Sequence, residues 1–108
     1  MYIEGNNELE KNAILKELDW LLKFNTPIYQ IEDETNNIYV KREDLIPFSF
    51  GGNKVRIAAN YFKDLITNDF DAVMSYGASS SNMCRVIAAM AKKYGINCFI
   101  VSPEEGYS

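Results

Sequence analysis

The chain has 108 residues, 47% of them apolar, and a formal net charge of −4. That length fits one small domain, and the acidic balance argues against a broad nucleic-acid-binding face, which needs clustered lysine and arginine. There is no histidine, which removes Ser-His-Asp and Cys-His catalysis and the HExxH zinc site, so chemistry falls to lysine, serine, carboxylates or a cofactor.

The opening stretch, "MYIEGNNELEK", has no basic segment leading into an apolar one and is too acidic for a typical transit peptide. No run approaches the roughly 18 to 20 apolar residues that span a bilayer, so neither membrane insertion nor secretion is expected and cytoplasm is the default. From Glu8 to Phe24 the residues Leu9, Ala13, Leu15, Leu18, Leu21 and Leu22 recur at helical spacing and predict an amphipathic helix. Pro27 stops it, "PIYQI" reads as a short strand, "TNN" at 35 to 37 is turn chemistry, and "IYVKRED" begins as a strand.

Residues 46 to 53, "IPFSFGGN", carry a proline and two glycines and must be a loop. The following "KVRIAANYFKDLIT" places Val55, Ile57, Ala58, Ala59, Tyr61, Phe62, Leu65 and Ile66 on helical faces. "DAVMSYG" is a short strand ending in glycine, and "ASSSN" leads into a helix over "MCRVIAAMAKKYG" with Met83, Ile87, Met90 and Tyr94 three or four apart. "INCFIVSP" is a near-continuous apolar strand, as found where helices cover both faces of a parallel sheet. The order helix, strand, helix, strand from 53 to 102 is the βαβ signature of an α/β fold. The expected organisation is therefore a single partial domain: an N-terminal helix over 1–25, short strands and a loop over 26–52, and a βαβ-type unit over 53–108. An α/β sheet ordinarily continues into another helix after a strand such as "INCFIVSP", so a larger fold, or a partner that completes this one, is expected.

Cys84 and Cys98 fall in a predicted helix and strand with neither CxxC spacing nor a histidine to complete a metal site. Free buried thiols and no metal are expected.

Two loops are placed to carry chemistry. In "GGNK" the glycines permit left-handed backbone and Asn53 is a good helix N-cap, so on the plain reading Lys54 is a solvated residue after a capped loop. Its position argues for more: a lysine in the first helical turn, with Arg56 close behind, sits where the macrodipole and a neighbouring cation disfavour a further positive charge. A neutral amine is what attack on an aldehyde requires. The second loop, "SYGASSSNMCR", lies between the end of a strand and a helix N-terminus, where open α/β sheets bind ligands. Ser79, Ser80, Ser81, Asn82 and the free backbone amides would cradle a carboxylate or phosphate; the plain alternative is that the serines are caps. The glycine spacing is neither GxGxxG nor a P-loop.

Taken in order, "IYVKREDLIPFSFGGNKVR" and "SYGASSSNMCRVIAAMAKKYG" resemble the N-terminal part of the tryptophan-synthase-β-like (fold type II) pyridoxal-phosphate enzymes. The nearest branch contains D-cysteine desulfhydrase and 1-aminocyclopropane-1-carboxylate deaminase, and the match runs over roughly residues 26 to 103. The resemblance implies a three-layer fold, here in part, with a parallel sheet between helices. It implies pyridoxal 5'-phosphate as cofactor and Lys54 as the residue that bonds to it and moves protons. It places Asn82 against the cofactor's 3-hydroxyl, Ser81 near the substrate carboxylate or in proton transfer, and Ser79 and Ser80 beside that carboxylate. A small amino acid is the implied substrate, in a β-lyase or deaminase reaction, with a homodimer or a complementing C-terminal chain as the implied partner. Family members continue into a glycine-rich loop that cups the cofactor phosphate and a residue that contacts the pyridine nitrogen. Neither segment lies in these 108 residues, so activity of this chain alone is not expected. Lys41 to Asp44 match the family string without an assigned chemical step and read as a solvated turn or a structural ion pair. Arg85 reads either as facing the site or as lying on the helix surface. Outside catalysis, the same sequence suits an α/β module that works by association through exposed edges and apolar faces.

Overall fold

The structure is a computed structural model that describes residues 8–32 and 35–103. The stretch 1–7 at the acidic N-terminus and the end of "SPEEGYS" lie outside those residues. Its elements are helix α1 (Glu8–Lys23), strands β1 (Ile28–Ile31) and β2 (Ile38–Lys41), a 3₁₀ turn (Glu43–Leu45), helix α2 (Lys54–Thr67), strand β3 (Ala72–Tyr76), helix α3 (Asn82–Tyr94) and strand β4 (Asn97–Val101). The predicted α/β alternation is present, and β3 and β4 pair in parallel, Ala72 opposite Asn97 through Tyr76 opposite Val101. β1 and β2 form a separate antiparallel hairpin, Ile28 opposite Lys41.

The helices stack in sequence: α1 packs on α2, α2 on α3, and α3 lies across β3 and β4. The α1 face that is buried differs from the one predicted by listing apolar residues, because Ile14, Leu18 and Leu21 are buried whereas Leu9 is exposed. Spacing of four and three puts those three residues on one stripe, and Leu9 falls outside it. α2 buries Val55, Ala58, Ala59, Phe62, Leu65 and Ile66, and its Ala58 and Ala59 give the neighbouring helices room to approach. Phe62 meets Tyr94 of α3 with ring centroids 6.3 Å apart.

Only one face of the parallel pair is covered among the described residues. Val73, Ser75 and Cys98 are half-buried on the α3 side, while Met74, Tyr76, Phe99 and Val101 are exposed on the other. The apolar "INCFIVSP" run thus has the composition of a strand covered on both faces, yet Phe99 is 60% exposed. Both cysteines are free, Cys84 buried and Cys98 half-buried, and burial, with Cys84 nearby, pushes the Cys98 thiol up. Among the described residues there is no cluster that would hold a metal ion, and no helix is long and apolar enough to cross a membrane.

One polar cluster ties the first half of the chain to α2. The Glu43 carboxylate takes the Nε and Nη2 donors of Arg56, accepts from the Thr26 hydroxyl at 2.6 Å, and pairs with Lys41 Nζ at 3.3 Å. Arg56 also donates to the backbone carbonyls of Leu22 and Phe24, each at 2.7 Å. Those carbonyls belong to the end of α1, where a helix runs out of internal donors. Of the two readings of Lys41 to Asp44, the structural ion pair holds for Lys41 and Glu43, and Arg42 pairs with Asp44 at 2.7 Å on the surface. The guanidinium of Arg56 faces Glu43 and the α1 carbonyls.

The Glu43 backbone positions the first loop. Its carbonyl accepts from Gly52 N at 2.8 Å and from Ile46 N at 3.2 Å. Ser49, Phe50, Gly51 and Gly52 all have positive φ, 46°, 63°, 73° and 101°. For the two non-glycine residues this conformation costs about 1–2 kcal/mol each. At Gly51 a Cβ would run into the Asp44 carbonyl, whereas at Gly52 it would meet nothing within 4 Å. Asn53 precedes α2 with helical backbone (φ −62°, ψ −24°) and makes no side-chain cap, contrary to expectation. N-caps work from an extended backbone, which turns the side chain back over the first amides; Asn53 lacks it.

Three outcomes follow for stability. Arg56, then Thr26, hold the Glu43 carboxyl down at about 2 against an ordinary 4.5. Its contribution is therefore complete above about pH 4.5 and disappears as pH falls toward about 2. Glu43→Gln should cost roughly 1–3 kcal/mol at pH 7, and the Tm gap to the parent should narrow by pH 3, as read by calorimetry. Gly51→Ala should cost at least about 2 kcal/mol, from overlap plus strain, and Gly52→Ala only the strain of about 1–2 kcal/mol. The Tyr94 hydroxyl is buried without a hydrogen-bond partner among the described residues, and burial pushes the phenol up to about 12. Tyr94→Phe should leave chemical-denaturation stability unchanged or raise it by up to about 1–2 kcal/mol.

Candidate functional site

Both loops that the sequence singles out open onto helix N-termini, and the structure brings them to the same end of the molecule. Lys54 is the first residue of α2 and Asn82 the first of α3. The link between them is Arg85, in the first turn of α3, which donates to the backbone carbonyl of Ser49 and to Ser49 Oγ at 2.8 Å. Its guanidinium carbon lies 5.8 Å from the Phe50 ring centroid. Arg85 thus faces the site's other loop and is not a free surface residue.

Lys54 is half-buried, and its Nζ makes no hydrogen bond or ion pair among the described residues. That sets it apart from Lys11, Lys41, Lys63 and Lys93, each of which pairs with a carboxylate. An amine without a partner, at a helix start and behind a loop whose Gly52 has open space on its Cβ side, can be reached by an electrophile.

The serine loop is built by close packing. Gly77 N donates to the Val101 carbonyl at 3.0 Å, which pins the loop's first residue to β4. A Cβ at Gly77 would come within 2.9 Å of Cys84 Sγ, Ser81 Cβ and Ser81 Oγ, so only glycine lets the strand end pass this close to α3. Ser81, with extended backbone, caps α3 by accepting from Cys84 N at 3.2 Å. The capping reading of Ser81 therefore holds, and its hydroxyl proton remains available, since a hydroxyl both accepts and donates. Ser79, Ser80 and Asn82 are exposed. The helix start, three hydroxyls and a carboxamide form a donor-rich rim suited to an anionic group.

An open cleft of about 380 Å³ runs beside β3, lined by Tyr61 of α2, Val73, Met74, Ser75 and Tyr76 of β3, and Met83 and Ile87 of α3. It reaches the approach to the serine loop but not Lys54. Ser75 and Tyr61 are lining residues that sequence reasoning passed over; alternation along β3 was enough to put Ser75 on the α3 side, where its Oγ lies 3.4 Å from Cys84 Sγ. The amine is a nucleophile, and the carboxamide and serine hydroxyls are hydrogen-bond donors, groups that can engage a carbonyl and an anion.

Comparison with known proteins points the same way. A family model described as pyridoxal-phosphate dependent enzyme matches residues 20–106. A 1-aminocyclopropane-1-carboxylate deaminase from Cyberlindnera saturnus is 36% identical over 69 residues, which are 63% of this chain and 20% of that protein. A protein of the same name from Mesorhizobium japonicum is 42% identical over 65 residues, 59% of this chain and 19% of its own length. A D-cysteine desulfhydrase from Salmonella paratyphi B is 39% identical over 61 residues, 56% of this chain and 19% of its own length. The chain thus matches about a fifth of the length of these curated relatives. No solved structure gives a significant match. With most of its length matched by the family model, the chain belongs to the pyridoxal-phosphate dependent enzyme family.

Proposed function

We propose that this chain is the N-terminal, lysine-bearing portion of a cytoplasmic β-lyase or deaminase that acts on a small amino acid, in the manner named for its D-cysteine desulfhydrase and 1-aminocyclopropane-1-carboxylate deaminase relatives. The observation that carries the reading is Lys54: a half-buried amine with no partner among the described residues, at the N-terminus of α2, behind a loop held in left-handed backbone. Pyridoxal phosphate, when bound, supplies the electron sink for carbanion chemistry, while the protein supplies binding, orientation and proton transfer.

In this reading Lys54 holds the cofactor and, at Nζ, takes and returns the substrate proton. Asn82 offers its carboxamide to the cofactor's 3-hydroxyl. Ser79, Ser80 and Ser81, with the first amides of α3, hold the substrate carboxylate, and the Ser81 proton is placed to join the transfer. The remaining contacts, to phosphate and pyridine nitrogen, are assigned to parts of the family fold that lie outside the matched fifth.

The bare face of the parallel pair supports a second reading, an association module. Met74, Tyr76, Phe99 and Val101 present a continuous apolar surface of the sort that monomers rarely leave open. A second copy, or a chain that carries the C-terminal part of the family fold, would cover it.

Two measurements decide between these readings. Incubation with pyridoxal phosphate, borohydride reduction and peptide mapping should yield a single pyridoxyl adduct at Lys54, abolished in Lys54→Ala; labelling scattered over the other lysines would sink the enzyme reading. Sedimentation velocity should show a dimer or larger species that Phe99→Asp dissociates. A well-folded monomer would count against association.

A further inference from the structure

We infer that Arg85 is a positioning residue that holds the Lys54 loop in register with the serine loop. The inference deepens the reading of Lys54 given above and rests on it. Ser49 and Phe50 occupy a backbone region that non-glycine residues avoid, and such a conformation persists only where the surroundings over-determine it. From inside the loop, Gly51 N bonds to the Phe48 carbonyl and Gly52 N to that of Glu43, each at 2.8 Å. The first of these closes a four-residue turn from Phe48 to Gly51 with Ser49 and Phe50 at its centre, which sets the shape of the turn but not its place relative to the serine loop. Phe50 is 95% exposed, so core packing does not hold it either.

What ties this turn to the other half of the site is one side chain from the other loop. Arg85 donates to Ser49 at both its carbonyl and its hydroxyl and lays its guanidinium over the Phe50 ring. A planar guanidinium can make both bonds while its face stacks on an aromatic ring; an ammonium cannot. Arg85 N itself donates to the Ser81 carbonyl at 3.1 Å. One residue thus spans from the serine that caps α3 to the strained pair that precedes Lys54. The two halves of the site, which come from segments about thirty residues apart in the chain, are fixed relative to each other by this bridge.

Amide hydrogen exchange tests it, with the Gly51 and Gly52 amides as reporters. In Arg85→Ala both should exchange at least tenfold faster than in the parent, while core amides of α3 such as Met90 and Ala91 keep their protection, and Arg85→Lys should fall between. Exchange at Gly51 and Gly52 within twofold of the parent would overturn the inference. If Arg85→Ala also loosens α3, Arg85→Lys decides, since it keeps the helix and the charge but cannot make both bonds and the stack: about threefold faster exchange at Gly51 supports the bridge, and no change overturns it. Pyridoxal phosphate labelling run in parallel should show a severalfold drop in the share at Lys54 for Arg85→Ala. If the parent shows no preference for Lys54, the functional reading fails, while the exchange rates still decide the bridge.

Discussion

The fold around the site depends on one charge pair, Glu43 with Arg56. Neither side chain is fully buried, and an exposed ion pair is worth little. This one differs because both groups in it have further tasks. The carboxylate also takes Thr26 and Lys41, and the guanidinium also takes the last carbonyls of α1. The pair therefore closes a helix end, anchors the base of the β1–β2 hairpin and fixes the rotation of α2, which sets where Lys54 stands. Hydrophobic burial of Ile14, Leu18 and Leu21 against α2 holds α1 in place but is non-directional. The directional part of the positioning comes from the pair.

From this anchor the site follows in short steps. The Glu43 carbonyl seats Gly52, the Asp44 carbonyl leaves no room for a side chain at Gly51, and the chain must turn left-handed into α2. On the other side Gly77 lets β3 end close against α3, and Ser81 caps the helix that carries Asn82 and Arg85. Each loop takes its shape from its own local contacts, and the hydrogen bonds of Arg85 to Ser49 join one to the other.

Much of this was legible in the sequence. Helical periodicity and the glycine and proline punctuation placed α2, α3, β3 and β4, and "GGNK" and "SSSN" marked both loops, because these signals are local and chemical. Pairwise relations were not legible. Nothing in "KRED" says that its glutamate meets an arginine thirteen residues on, nor does Arg85 announce a serine thirty-six residues back. Asn53 misled for the same reason: its type favours a cap, but the backbone imposed by the left-handed run before it removes the geometry that a cap needs. The antiparallel partnership of β1 and β2, set by the register of two short and wholly exposed strands, carries no alternation signal that would have revealed it.

The exposed surfaces then acquire a common meaning. The hairpin shows apolar residues on both faces, and the β3–β4 pair shows Met74, Tyr76, Phe99 and Val101 on its open face. Two-stranded sheets of this size are marginal unless something packs on them. The part of the chain that is fully packed, α1 through α3, is the part that carries the glutamate–arginine anchor and both helix N-termini. The loops that carry Lys54, Ser81 and Asn82 are therefore positioned by contacts of the packed part, and the open sheet faces take no share in it.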